Sequence, residues 1–177
     1  KIKRTGRPQS LVIKTKLGIE QHKLEQQVIG RNILAYIEGT DKKDEVLIIS
    51  AHYDHIGMRG KDVFNGADDN ASGTTTVTQI AKAMQYAKSI GKGPRRSVLC
   101  LLVTGEEKGL LGSMYYVNNP VFPLSSTIAD INIDMIGRRD TLHPATNNYI
   151  YVIGSDRLSS ELHTINEEVN AKYTKLD

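Results

Sequence analysis

Two apolar runs that hardly alternate constrain this chain more than any other feature. Val46-Leu47-Ile48-Ile49 contains no polar residue, and Ser97 to Val103 is almost as dense. A strand with one wet face alternates apolar and polar side chains. A run without alternation reads as a strand covered on both faces, as in parallel or mixed sheets. Between the two runs, Val77, Ile80, Ala81 and Met84 fall at i, i+3, i+4 and i+7, which predicts an amphipathic helix over Asn70 to Ile90. Asp68, Asp69, Asn70 and Ser72 supply capping oxygens at its start, and Gly91-Lys92-Gly93-Pro94 stops it. Strands alternating with helices predict an α/β fold, a three-layer sandwich with a mostly parallel mixed sheet.

The remaining segments fit that frame. Leu11 to Lys16 and Gln27 to Glu38 read as strands that add an antiparallel edge, with Gly39 to Glu45 as a charged turn. A short helix is expected from Gly109 to Val117, a third strand over Ile128 to Asp134 and a fourth over Asn148 to Gly154. Ser155 or Asp156 caps a last helix with the stripe Leu158, Leu162, Ile165 and Val169.

Composition removes several functions. The 23 basic and 20 acidic residues leave a net charge of +3, too even to argue for a nucleic-acid partner. The single cysteine, Cys100, excludes a disulfide framework and a thiolate metal cluster, and reads as a small buried hydrophobe. No apolar run is long enough to span a membrane. Asn70-Ala71-Ser72 matches a glycosylation acceptor but sits at a helix start beside a cleft, so it reads as unused. The first residue is lysine, so an export signal removed upstream is compatible with the sequence, and an exported, periplasmic or extracellular, location is the expectation.

The chemistry collects at strand ends. His52 follows the first buried strand, Glu106 and Glu107 follow the second, and Asp134 ends the third. Open α/β sheets bind ligands at the carboxyl ends of their strands. Asp68-Asp69 joins them, because the helix it opens follows the His52 loop. Taken singly, each is an ordinary loop, cap or surface residue. Jointly they place imidazole and carboxylates, without thiolate, on one rim, which suits a catalytic zinc, cobalt or manganese. Adjacent glutamates can divide the work, one holding a metal and one handling a proton. Gly105, Gly109 and Gly112 do not form a dinucleotide or phosphate loop, and no G-x-S-x-G or H-E-x-x-H is present.

Four ordered motifs then carry a resemblance: His52-Tyr53-Asp54; Gly66-Ala67-Asp68-Asp69-Asn70-Ala71-Ser72-Gly73; Gly105-Glu106-Glu107-x-Gly-Leu-Leu-Gly-Ser; and Asn132-Ile133-Asp134-Met135-Ile136-Gly137. From about Asn32 onward the chain resembles the M28 metallopeptidases, co-catalytic zinc aminopeptidases of the zinc-exopeptidase, phosphorylase/hydrolase-like fold. The resemblance implies a partial catalytic domain over 27–177, with 1–26 an edge segment or the tail of a preceding module. It implies peptide or protein substrates and two Zn2+ ions. His52 and Asp134 would bind one ion, Asp69 would bridge, Glu107 would bind the second, and Glu106 would be the general base for the activated water. Asp54 would lie behind His52 and accept from its other ring nitrogen.

The family's fifth ligand is a histidine in a late loop. After Asp134 the chain offers only His143 and His163, and neither context fits. The expectation is a domain that stops before that residue, binds at most one metal well through His52, Asp69 and Asp134, and is weakly active or inactive. Carboxypeptidase or dipeptidase activity, a glutaminyl cyclase, and a non-catalytic scaffold are the alternatives. Arg138 and Arg139 could reach a substrate carboxylate or form a surface ion pair.

Overall fold

The computed structural model describes residues 14–16, 18–22, 27–146 and 148–177. Its main sheet has four strands: β1 (Ile33–Ile37), β2 (Lys42–His52), β5 (Arg96–Val103) and β6 (Thr127–Asn132), in the order β1-β5-β2-β6. β2 runs parallel to both β5 and β6, while β1 pairs antiparallel with β5 at the edge. A separate hairpin, β3 (Gly57–Arg59) with β4 (Asp62–Phe64), rises from the loop after β2.

The two apolar runs do not alternate because both faces of β2 and β5 are covered. Ile49, Ala51, Val98 and Cys100 face helix α1 (Gly73–Ser89) and pack with Val77, Ile80, Ala81 and Met84. Val46, Ile48, Leu99, Leu101 and Val103 point the other way, onto Tyr116 of helix α2 (Leu111–Asn118) and Phe122. The outcome is the expected helix–sheet–helix layering with a mostly parallel mixed sheet.

Several local expectations need correction. The turn before β2 is shorter than Gly39 to Glu45, because the strand already starts at Lys42, where its ladder to Arg96 begins ahead of a bulge. The helix starts at Gly73, not Asn70; an irregular turn over Ala67–Ser72 precedes it, in which Asp69 and Asn70 leave helical dihedrals and are joined by a cis peptide. Most of the strand expected over Leu11 to Lys16 lies outside the described residues, and 14–16 form no regular element. The fourth strand does not form. Among the described residues no strand pairs with 148–154, whose backbone ties are Asp177 N–H donating to Asn148 O and Arg157 N–H donating to Gly154 O, and Ile150, Tyr151, Val152 and Ile153 are exposed; β propensity without a ladder partner does not make a strand. The last helical segments follow, α3 (Ser155–Leu158) and α4 (Ser160–Val169), with the Ser159 hydroxyl capping the latter through Leu162 N–H.

Candidate metal centre

His52 is the last residue of β2 and only 2% exposed, so its imidazole is held at the carboxyl edge of the sheet. Its Nε2 lies 3.0 Å from Asp69 Oδ1 and 3.6 Å from Asp134 Oδ2. Asp134 arrives from two residues past β6, in register because Ile133 N–H still donates to Ser50 O at 2.8 Å. The other oxygen of Asp69 faces a second group. Asp69 Oδ2 is 3.9 Å from His55 Nδ1, which in turn is 2.8 Å from Glu107 Oε1. Two triads, His52/Asp69/Asp134 and His55/Asp69/Glu107, thus share Asp69, one carboxylate oxygen each.

These spacings suit a metal. Two ligand atoms about 2.0–2.1 Å from one tetrahedral zinc sit about 3.3 Å apart, which falls inside the observed range of 2.8 to 3.9 Å. The second triad adds a sharper sign. His55 Nδ1 and Glu107 Oε1 are both shielded from solvent, and despite their short separation neither has a hydrogen-bond partner. Buried polar atoms are normally satisfied, and lone pairs converging on one point are what a cation neutralises.

Asp68 does not join either triad. Its Oδ1 accepts from Gly137 N–H at 2.8 Å, which ties the turn before α1 to the loop after Asp134. Asn70 makes a stronger tie. It is 2% exposed; its Oδ1 accepts from Gly73 N–H and Met135 N–H, and its amide donates to Ile133 O. One side chain therefore caps α1 and grips the backbone on both sides of Asp134.

Asp54 behaves differently from the expectation. Its carboxylate is 3.7 Å from His52 Nδ1, beyond hydrogen-bond range, and it is the backbone carbonyl of Asp54 that lies 3.1 Å from that nitrogen. The carboxylate instead accepts from the backbone N–H groups of Glu106 (3.1 Å) and Glu107 (3.3 Å). These are the unpaired donors at the start of the single helical turn Glu106–Lys108, where an acceptor carboxylate belongs. Gly105, at φ +70°, makes the bend that lets β5 pass into this turn. Asp54 therefore orients the double glutamate as well as touching His52.

Glu106 stands beside both triads. Burial pushes its carboxyl above the ordinary glutamate range; His52 opposes this, and Glu107, Asp134 and Asp54 add to it by like-charge repulsion.

The two histidines after Asp134 are engaged elsewhere. His143 Nδ1 is 3.0 Å from Asp140 and its ring stacks on Tyr149 at 3.9 Å, while His163 meets Ser155 Oγ at 3.2 Å. Arg138 and Arg139 form no ion pair among the described residues and line, with Ile136, Gly137 and Tyr149, a cleft of about 760 Å³. Sequence reasoning passed over His55 and saw Asn70 only as a cap. The available signal for the first was a second imidazole three residues beyond His52, in the same strand-end loop.

A mixed sheet covered by helices, with imidazole and carboxylate triads at its strand ends, defines an α/β protein with a candidate metal centre on the sheet's carboxyl edge. The profile described as peptidase family M28 matches residues 32–175, and the chain belongs to that family. Among curated relatives, a vacuolar membrane protease of Tuber melanosporum is 32% identical over 145 residues, covering 80% of this chain and 14% of that protein. A probable leucine aminopeptidase of Arthroderma otae is 31% identical over 133 residues, covering 74% of this chain and 37% of that protein. The chain thus spans well under half the length of these relatives. Among solved structures, a zinc aminopeptidase from Bacillus subtilis aligns with a TM-score of 0.49 at 28% identity, covering 60% of this chain and 24% of that one.

The expectation of export is overturned. Relatives from Tuber melanosporum, Verticillium alfalfae and Pyricularia oryzae are named vacuolar membrane proteases, not periplasmic or extracellular ones. Among the described residues no helix is long and apolar enough to cross a membrane.

Proposed function

We propose that this chain is the catalytic core of a zinc metallopeptidase that releases amino acids from the N-termini of peptides, with Glu106 as general base. The observation that carries the reading is the sharing of Asp69: its Oδ1 turns to His52 and its Oδ2 to His55, with Asp134 and Glu107 completing the two groups. His52, Asp69 and Asp134 would hold one Zn2+, and Glu107, with the second oxygen of Asp69, would stand at the other. Bound zinc supplies Lewis acidity toward the scissile carbonyl and lowers the pKa of water to about 7.

The chain's own groups do the rest. The buried His52 imidazole, with Asp54 O behind it, keeps Nε2 facing Asp69 and Asp134. The Asp54 carboxylate fixes the turn that carries Glu106 beside both triads. A carboxyl raised above its ordinary range is better matched to accepting a proton near neutral pH and returning it to the leaving amine.

The test uses chain stripped with a chelator and reloaded with zinc. Chromogenic aminoacyl substrates should be cleaved, and amino-blocked peptides with a free carboxyl terminus should not; the reverse preference would make it a carboxypeptidase. Glu106→Gln should lower turnover about 10²–10⁴-fold, the share of a general base, with zinc content unchanged. Full activity in that variant would sink the mechanism.

A further inference from the structure

We propose that Arg138, Arg139 and the Tyr149 hydroxyl form a subsite beside the metal centre for a substrate carboxylate, either the free C-terminus of a short peptide or an acidic side chain on the leaving side of the scissile bond. The inference rests on the metallopeptidase reading above and adds to it which peptides the chain selects.

The cleft is joined to the metal centre. Asp134 lies just past β6, and Met135, at φ +50°, turns the chain sharply beyond it. Gly137 then meets the turn that carries Asp69. Its N–H donates to Asp68 Oδ1 at 2.8 Å, and a Cβ on it would stand 3.2 Å from Ser72 Cβ. Arg138 and Arg139 follow directly and line the cleft of about 760 Å³, so one of its walls is pinned to the residue next to Asp69. That volume falls within the ~300–1,000 Å³ of small-ligand pockets.

The two guanidiniums have no carboxylate partner among the described residues. Their neighbour Asp140 is committed elsewhere: its Oδ1 accepts from Leu142 N–H and His143 N–H and faces His143 Nδ1, and its Oδ2 accepts from the Tyr151 hydroxyl. Guanidinium forks match a planar carboxylate in two parallel bonds, which an ammonium cannot reproduce. Tyr149 adds a third donor. Its oxygen accepts from Asp140 N–H at 2.6 Å, which leaves its own O–H to donate to a ligand, and its ring is held by stacking on His143 at 3.9 Å.

Charge then orients the substrate. The rim carries Asp54, Asp69, Glu106, Glu107 and Asp134, while the cleft beside it carries two arginines. A short peptide has an ammonium at one end and a carboxylate at the other, and only one of its two orientations is complementary. That orientation brings the N-terminus to the metal centre, as release of the N-terminal residue requires, and the carboxylate to the cleft.

The experiment compares three tripeptides on the zinc-reloaded 177-residue chain: Leu-Gly-Gly, its C-terminal amide, and Leu-Gly-Glu amide. Wild type should cleave Leu-Gly-Gly with kcat/KM about 10-fold or more above its amide, the worth of a charge-assisted hydrogen bond, with the gain in KM. Leu-Gly-Glu amide shows which carboxylate is read: recovery there adds an acidic side chain, and no recovery restricts the subsite to the C-terminus, with the subsite supported in both cases. Arg138→Gln and Arg139→Gln should each shrink the acid-over-amide ratio, the double variant should bring it to about one, and lysine at either position should be intermediate. Both side chains are exposed, so these variants should fold, and circular dichroism checks it. A merely structural arginine would lower all three substrates together and leave the ratio unmoved. Equal cleavage of all three peptides by wild type, or an unmoved ratio in the double variant, overturns the inference and leaves the metallopeptidase reading intact. If wild type turns over none of them, that reading fails and calorimetry with the same peptides judges the subsite: tighter binding of a carboxylate peptide supports it, and no preference overturns it.

Discussion

Removing the Asn70 side chain should loosen the candidate metal centre from behind. Asn70→Ala deletes three hydrogen bonds, to Gly73 N–H at 3.0 Å, Met135 N–H at 3.3 Å and Ile133 O at 3.0 Å. Each such bond is worth about 0.5–1.5 kcal/mol net, and a buried group left without a partner costs about 1–3 kcal/mol. Gly73 is buried and at the first turn of α1, so little water can replace the lost acceptor. The 3.3 Å bond counts for less than the other two. The sum is about 2–4 kcal/mol. With a urea m-value of about 1–3 kcal/mol per molar, the unfolding midpoint should fall by roughly 1–2 M. Zinc affinity should drop as well, because Ile133 and Met135 flank Asp134 and lose their common anchor. Asn70→Asp keeps the acceptor but turns an oxygen toward Ile133 O and buries a charge, so it should be no better tolerated. Urea titration with metal-free chain isolates the stability effect, and calorimetry with zinc the second. A midpoint shift under about 0.3 M in Asn70→Ala, with zinc affinity unchanged, would refute the idea that this side chain holds the centre together.

Three further outcomes are expected. Asp54→Ala removes the acceptor of the Glu106 and Glu107 amides, so zinc affinity or turnover should fall about 10–100-fold, with Asp54→Asn intermediate; equal activity in all three would show that the turn holds itself. Gly112→Ala would place a Cβ 2.3 Å from Thr104 O and 2.6 Å from Asn32 Oδ1, forcing α2 off the strand end that carries the glutamates at a cost of about 1–3 kcal/mol, and a wild-type melting temperature would contradict the contact. The Arg95 guanidinium, 2.6 Å from Asp41 Oδ2, holds that carboxyl down from 3.8 to about 2. Its folded value lies below its unfolded one, so the stabilisation is complete above about pH 4 and is lost as pH falls toward 2. The gap in melting temperature between wild type and Asp41→Asn should be small, because the pair is exposed, and should close between pH 4 and pH 2; a gap that stays constant would mean the pair is not the cause.

The sequence by itself determined the two central strands, the helix between them and the residue types at the strand ends. The unbroken apolar runs of β2 and β5 and the i, i+3, i+4 pattern of Val77, Ile80, Ala81 and Met84 are local records of burial, and both faces of those strands are covered as that pattern requires. His52, Asp69, Glu106, Glu107 and Asp134 were visible as a set because α/β sheets collect their ligands at strand ends. Tertiary structure decided the pairings. Asp54 bonds amides 52 and 53 residues away, and Asn70 reaches Ile133 and Met135 across more than 60 positions. Nothing in local periodicity says which of two neighbouring aspartates turns toward His52 and which toward Gly137 N–H. The same holds for 148–154, whose composition suits a strand but whose pairing depends on a neighbour that the sheet order β1-β5-β2-β6 does not provide. His55 shows the difference most plainly. In the sequence it is one more polar loop residue; in the fold, the Gly66 turn and the end of β5 bring its Nδ1 against Glu107, and only that proximity makes it a candidate ligand.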